Sequence, residues 1–225
     1  MIPVFVPVRD RVAPLRRLVA WFEQIGGAEL WLLDNQSTYP PLVEYLEQSP
    51  HHVVPLHRNL WNVAPWLSGL VYEVAHDRHF IVSDPDTVPD ESCPSDVFDH
   101  LVELLDRYPE VVKAGLGLRI DDLPAHYAHR DDVIAWESQF WTDELEPGVL
   151  AADVDTTFAM YRANSHYSIG PALRTAAPYV VQHLPWYEDS SAPTPEIEFY
   201  RLHADPLVSN WDRVQLPAWK RYATR

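Results

Sequence analysis

The chain has 225 residues, 47% of them hydrophobic, with 9 Trp, 11 Tyr and 7 Phe. That content excludes a disordered polymer and suits one sizeable α/β core. Lys and Arg number 17 against 33 Asp and Glu, a formal net charge of −16, which disfavours bare nucleic acid and anionic lipid because neutralising phosphates needs clustered cations. Local basic spots remain at Arg9, Arg11, Arg16 and Arg17, and at Lys220, Arg221 and Arg225. No apolar run reaches the roughly 18 residues of a membrane span. The start, MIPVFVPVRDR, has no basic flank before its apolar stretch and reads as a strand, not a signal peptide. A lone Cys93 excludes an internal disulfide framework. A cytoplasmic location is expected, with peripheral attachment to a membrane left open.

In chain order, residues 3–8 read as a strand, and Val12, Leu15, Leu18, Val19 and Phe22 recur at helical spacing until Gly26-Gly27. Residues 30–33 form a second buried strand that ends in the polar turn Asp34-Asn35-Gln36-Ser37-Thr38. A short helix at 41–48, a strand at 52–56 and a helix over 63–76 follow. This alternation predicts a mostly parallel sheet flanked by helices. Later elements are a helix at 97–108, a strand at 111–120, a helix at 133–141, a strand at 156–161 and a last helix at 195–204. The proline-rich, aromatic stretch 162–195 has little periodicity and is expected to be irregular. One domain is expected.

The most informative segment is DRHFIVSDPDTVPDE, residues 77–91. An apolar strand, 79–82, runs into Asp84 and Asp86, at the end of a strand where open α/β sheets place ligands. In an extended segment the two carboxylates would face one site. Hard oxygen donors of this kind suit a divalent cation shared with phosphates. An acidic capping turn is the alternative role.

An acidic turn after strand two, Asp-x-Asp after strand four, and the segments LLDNQSTYPPLVEYL, GLGLRIDDLP and QHLPWYED together resemble the family 2 glycosyltransferases of GT-A fold. Within them, the resemblance is to a bacterial subgroup described only as glycosyltransferases. It implies a single GT-A-type, Rossmann-like α/β domain, with a nucleotide-binding half at 1–92 and an acceptor-binding half at 93–225. It also implies inverting transfer of a sugar from a nucleotide-diphosphate sugar to a hydroxyl-bearing acceptor (a glycan, a lipid-linked glycan or a small molecule), with Mn2+ or Mg2+. By that resemblance Pro7, Arg9, Asp34, Asn35, Ser37, Arg58, Asn59 and Asn62 would surround the nucleoside. Asp86 would meet the metal, and Asp84 would lie near the ribose or a metal-bound water. A late histidine, His203 ahead of His183, would be a further ligand.

An inverting transfer needs a base, and a carboxylate in an aromatic, partly dry pocket suits that task. Asp189 ahead of Glu188 fills it here, with Asp155 or Asp153 as alternatives. Trp186 and His183 are candidates for the acceptor side, whereas Trp136, Phe140 and Trp141 have the spacing of a helix core face. Arg119 and Asp121 or Asp122 would either meet donor-sugar hydroxyls or cap the next turn. No G-x-G-x-x-G follows strand one, which disfavours NAD or FAD. The chain has only 7 glycines, and PVRDRVAP contains none, which disfavours a sugar-phosphate nucleotidyltransferase. No G-x-S-x-G elbow is present for a serine hydrolase. A non-catalytic nucleotide- or carbohydrate-binding protein of the same fold is the remaining alternative.

Overall fold

The structure, a computed structural model, describes residues 1–204; Lys220, Arg221 and Arg225 lie outside the described residues. The first strand, β1 (Ile2–Val8), is buried along almost its whole length. It is followed by α1 (Ala13–Ile25), which stops where Gly26 and Gly27 take φ of 72° and 76°, a backbone region that favours glycine. Next come β2 (Ala28–Asp34), α2 (Pro40–Glu47) and β3 (His52–Pro55). The helix expected over 63–76 is divided. A 3-10 turn at Trp61–Val63 leads into α3 (Ala64–Leu67), and Gly69, at φ +80°, separates it from α4 (Leu70–Ala75).

The carboxylate strand is β4 (Phe80–Val82), and the unforeseen β5 (Thr87–Pro89) follows it. After these come α5 (Val97–Arg107), β6 (Lys113–Leu118), α6 (Arg130–Glu137), an unforeseen hairpin of β7 (Glu144–Glu146) and β8 (Val149–Ala151), and β9 (Ala159–Tyr161). The largest departure from expectation is β10 (Ala172–His183), a 12-residue strand inside the stretch expected to be irregular. It pairs with β6, β8 and β5. Its register shifts between Thr175 and Val180, and Pro178 falls inside that irregularity, where its missing N–H breaks no ladder bond. The last described element is α7 (Pro195–His203).

All ten strands form one sheet of order β3-β2-β1-β4-β9-β6-β10-β8-β7, with β5 on β10. The neighbours β3, β2, β1 and β4 are parallel, as are β6 and β10, while β9 is antiparallel between β4 and β6. The sheet is therefore mostly parallel at its centre and carries helices on both faces. Val4, Val6 and Val8 pack with Leu15, Leu18 and Phe22 of α1 and with Leu101 and Leu104 of α5. Phe5, Leu33, Phe80 and Val82 pack on the opposite side with Trp66 of α3 and Val71 of α4. This period-two division is what a strand covered on both faces requires.

Gly117 of β6 fits tightly against the β10 irregularity. A Cβ placed there would lie 2.8 Å from the Trp141 ring and closer still to the Thr175 carbonyl. Gly117→Ala is expected to destabilise the fold by about 1–3 kcal/mol through overpacking. That lowers the melting temperature by about 2–4 °C per kcal/mol; an unchanged melt would contradict this packing.

Candidate functional site

The sheet order contains a reversal. From β1 the chain steps outward to β2 and β3, then returns to place β4 on the other side of β1. The C-terminal ends of β1 and β4 flank this switch point, where such sheets usually hold a ligand in a crevice. Residues 9–12 and Ser83-Asp84-Pro85-Asp86 follow those two strand ends. The ladder continues one step past β4, with Ser83 N donating to Phe5 O at 3.1 Å, so Asp84 leaves the sheet at a fixed place.

The carboxylate segment is a turn, not the extended run expected from its sequence. Thr87 N approaches Asp84 O at 3.5 Å and Thr87 Oγ1 donates to the same oxygen at 3.1 Å, which puts Pro85-Asp86 at the corner. Asp84 nevertheless faces inward: Thr156 Oγ1 donates to its Oδ1 at 2.9 Å. Burial, then Asp86, then Asp155, push the Asp84 carboxyl up to about 8, against the lowering effect of Thr156 and Lys113. Lys113 is fully buried on β6 and donates to Tyr161 Oη at 2.9 Å and to Asp155 O at 3.2 Å. Burial brings its ammonium down to about 7 although Asp155 opposes this.

Asp86 lies beside His183, whose Nε2 is 3.7 Å from Asp86 Oδ1. The β5–β10 pairing accounts for this, because it sets His183 opposite Thr87 while Leu184 N donates to Asp86 O at 2.8 Å. The histidine expected first, His203, is placed elsewhere: it stacks on Phe199 at 3.9 Å, its Nδ1 is 2.8 Å from Phe199 O, and it is exposed. Among the described residues no group of three or more His, Cys, Asp or Glu is arranged to hold a metal ion.

Arg11, one of the basic residues near the start of the chain but not among the expected site residues, is central. Its side chain is 6% exposed and contacts Glu188 Oε1 at 2.6 Å and Glu196 Oε1 at 3.2 Å. Burial opposes its charge, but Glu188, Asp86 and Glu196 together hold the guanidinium above its ordinary value. Its carbon lies 5.3 Å from the Tyr200 ring centre. Burial, then Asp86, raise the Tyr200 hydroxyl to about 12. Glu196 also accepts from Ala13 N at 3.1 Å, capping α1 in place of Val12, which has no side-chain cap to offer. The sequence signal for this centre was an arginine just past a strand end in a cation-poor chain.

The other expected residues divide by location. Pro7 ends β1, and Arg9, 28% exposed, lies 3.7 Å from Asp10, with no hydrogen-bond partner for Nε among the described residues. Asp34 accepts from Ser37 N at 2.8 Å in an Asx turn. Asn35 is buried, accepting from Leu60 N at 2.9 Å and donating to Trp61 O at 3.1 Å, which ties the 60–61 loop to β2. Asn59 accepts from Trp61 N at 3.0 Å, and Arg58 is exposed. Asn62 caps no helix through its side chain and donates toward Thr156 Oγ1 at 3.4 Å, one contact from Asp84.

Arg119 is held by Asp90 at 2.7 Å, Asp121 at 2.9 Å and Asp122 at 3.2 Å. Tyr187 Oη donates to Asp122 at 2.6 Å. Trp186, expected on the acceptor side, is 3% exposed and packs in the core, its ring 4.6 Å from that of His183. Asp189 is turned outward. It accepts from Ser191 Oγ at 2.7 Å and Ser191 N at 2.9 Å, bonds that hold its carboxyl below the usual range. Two surface clefts are lined by other residues, one by Tyr127, Arg130 and Asp132 and one by Phe140, Asp153 and Pro171; neither includes the strand-end carboxylates.

No protein-family model matches the chain, and no curated protein matches it. Solved structures do. One is S. aureus TarS, residues 1–349, at 13% identity and a TM-score of 0.42, covering 72% of this chain. The chain spans 46% of that TarS chain. Another is UDP-glucose pyrophosphorylase complexed with UDP-glucose, at 12% identity and a TM-score of 0.41, covering 85% of this chain and 80% of that one. At such scores these likenesses carry no functional argument, and the α/β assignment rests on the strand order itself.

The Asp84 environment has a measurable consequence. Its folded-state pKa is raised, so the folded protein binds more protons than the unfolded chain between about pH 4 and 8. The associated stability is fully present below about pH 4 and is lost as the pH rises through about 8. In chelated buffer the melting temperature of the wild type should fall by several degrees more than that of Asp84→Asn between pH 5 and 8. Parallel profiles would contradict the burial of this carboxyl.

Proposed function

We propose that the chain is an inverting glycosyltransferase that moves a sugar from a nucleoside-diphosphate donor to an acceptor hydroxyl, with Mn2+ or Mg2+. The observation that supports this reading is that Asp84 and Asp86 follow β4 at the switch point beside β1, near enough for Asp86 to help raise the Asp84 carboxyl. Charge balance supports a cation there. Asp84, Asp86, Asp155, Glu188 and Glu196 gather around it, Arg11 is already engaged by two of them, and a diphosphate would add further negative charge.

The donor set fits such an ion. Mg2+ is commonly held by one or two carboxylates with the remaining positions taken by phosphate oxygens and water, so a three-residue cage is not required. Asp86 and Asp84 would hold it, with His183 beside them, in preference to His203. Bound there, the ion supplies Lewis-acid neutralisation of the departing diphosphate. Arg9, just after β1, would meet a phosphate oxygen; its Nε has no hydrogen-bond partner among the described residues and lies 3.7 Å from Asp10 Oδ2. Asn62 and Thr156, next to Asp84, fit the nucleoside side.

For the base, geometry favours Glu188, which is turned in toward Arg11, over Asp189, which is occupied by its own turn. Residues 1–92 then form the nucleotide half and 93–225 the acceptor half of one catalytic domain. Among the described residues no helix is long and apolar enough to cross a membrane. A nucleotidyltransferase would draw on similar carboxylates, but the loop after β1 is built on Asp10 and Arg11, not on a glycine-rich phosphate cradle.

Thermal unfolding with uridine or guanosine diphosphate should show a stabilising shift that requires Mn2+. Asp86→Ala should abolish that shift, and a nucleotide shift independent of metal in both proteins would sink the metal assignment. Across a panel of nucleotide-sugars, one donor should be slowly hydrolysed. With that donor, Glu188→Gln should keep binding and lose at least about a hundredfold in turnover, in line with the general-base contribution. Asp189→Asn should stay within about twofold of wild type; the reverse ranking would return the base to Asp189.

A further inference from the structure

Arg11 makes contacts that reach beyond holding the fold together. It stands on the nucleotide half, directly after β1, yet both of its carboxylate partners come from the acceptor half: Glu188 from the segment after β10 and Glu196 from α7. The two differ in role. Glu196 is 9% exposed in its side chain and is also occupied by the α1 backbone at Ala13 N. Glu188 is 27% exposed and receives the shorter contact, 2.6 Å from a terminal guanidinium nitrogen. Glu196 thus anchors the arginine, and the anchored arginine presents a fixed donor to Glu188. A planar fork held by one carboxylate is well suited to orient a second, because its donors point in set directions.

We propose that Arg11 is a positioning residue for the proposed base: through its Nη2 contact it fixes the place of the Glu188 carboxylate at the crevice and keeps it ionised. This inference rests on the assignment of Glu188 above. A mobile glutamate beside Asp86 would be repelled from the crevice and would be protonated more readily, and a neighbouring guanidinium counters both tendencies. Among the described residues, the charged and titratable groups near this pair include Asp86 from the β4–β5 turn, Glu196 and Tyr200 from α7, and Arg9, which acts on Tyr200. Arg11 Nη2 lies 2.6 Å from Glu188 Oε1.

The test is the pH dependence of kcat/KM with the hydrolysed or transferred donor. In Arg11→Met the acid limb should move up by at least one pH unit and kcat should fall at least thirtyfold, while the nucleotide- and Mn2+-dependent thermal shift persists. Arg11→Lys should restore the limb to within about half a unit, with kcat still below wild type, since charge returns without the fork. Should Arg11→Met fail to fold, the double variant Arg11→Met/Glu196→Gln removes the carboxylate left uncompensated and reads the same limb. An unmoved acid limb with kcat within twofold of wild type overturns the proposal. If Glu188→Gln alone turns over at the wild-type rate, the base assignment falls and this inference with it. If Glu188→Gln is inactive while Arg11→Met behaves as wild type, this inference alone falls.

Discussion

Among the described residues, carboxylates outnumber the cations near the ends of β1 and β4, and that imbalance shapes the region. Arg11 is buried there and held by acids from two later segments. Lys113, a buried cation near Asp84, is brought down to about 7, mainly by burial. Asp84 answers by holding its proton up to about 8. Repulsion of this kind would be relieved by a ligand that brings positive charge, such as the divalent ion proposed above.

The fold supports this arrangement through register. Antiparallel pairing of β5 with β10 brings His183 beside the Asp86 turn. Pairing of β9 with both β4 and β6 brings Thr156 to Asp84 and stands Lys113 opposite Tyr161. Shifting β9 by one residue would turn its side chains to the other face and separate these partners. The late helix α7 is tied to the start of the chain, because Glu196 caps α1 and holds Arg11 at once.

The first half of the chain was legible because its signals are local. Apolar runs mark β1, β2 and β4, and Gly26-Gly27 ends α1 where the spacing stops. The break at Gly69 was equally local, yet a continuous helical pattern outweighed a single glycine. In contrast, β10 was hidden: Ala176, Ala177 and Pro178 dilute its β character, and only the neighbours β6, β8 and β5 make it a strand. Of the site, the pair Asp84 and Asp86 could be read from its place after a buried strand, although the turn at Pro85 could not. The choices between Asp189 and Glu188 and between His203 and His183 turn on which way side chains face, which local sequence does not carry. Arg11, Thr156 and Glu196 were not foreseen as site residues because their significance arises only when distant segments meet.

The most direct measurement is anomalous diffraction at the manganese edge from crystals containing Mn2+ with uridine or guanosine diphosphate. The account predicts a manganese peak within bonding distance of Asp86 that bridges to the bound diphosphate. A nucleotide bound elsewhere on the surface, or a diphosphate in the crevice with no metal at Asp86, would contradict it.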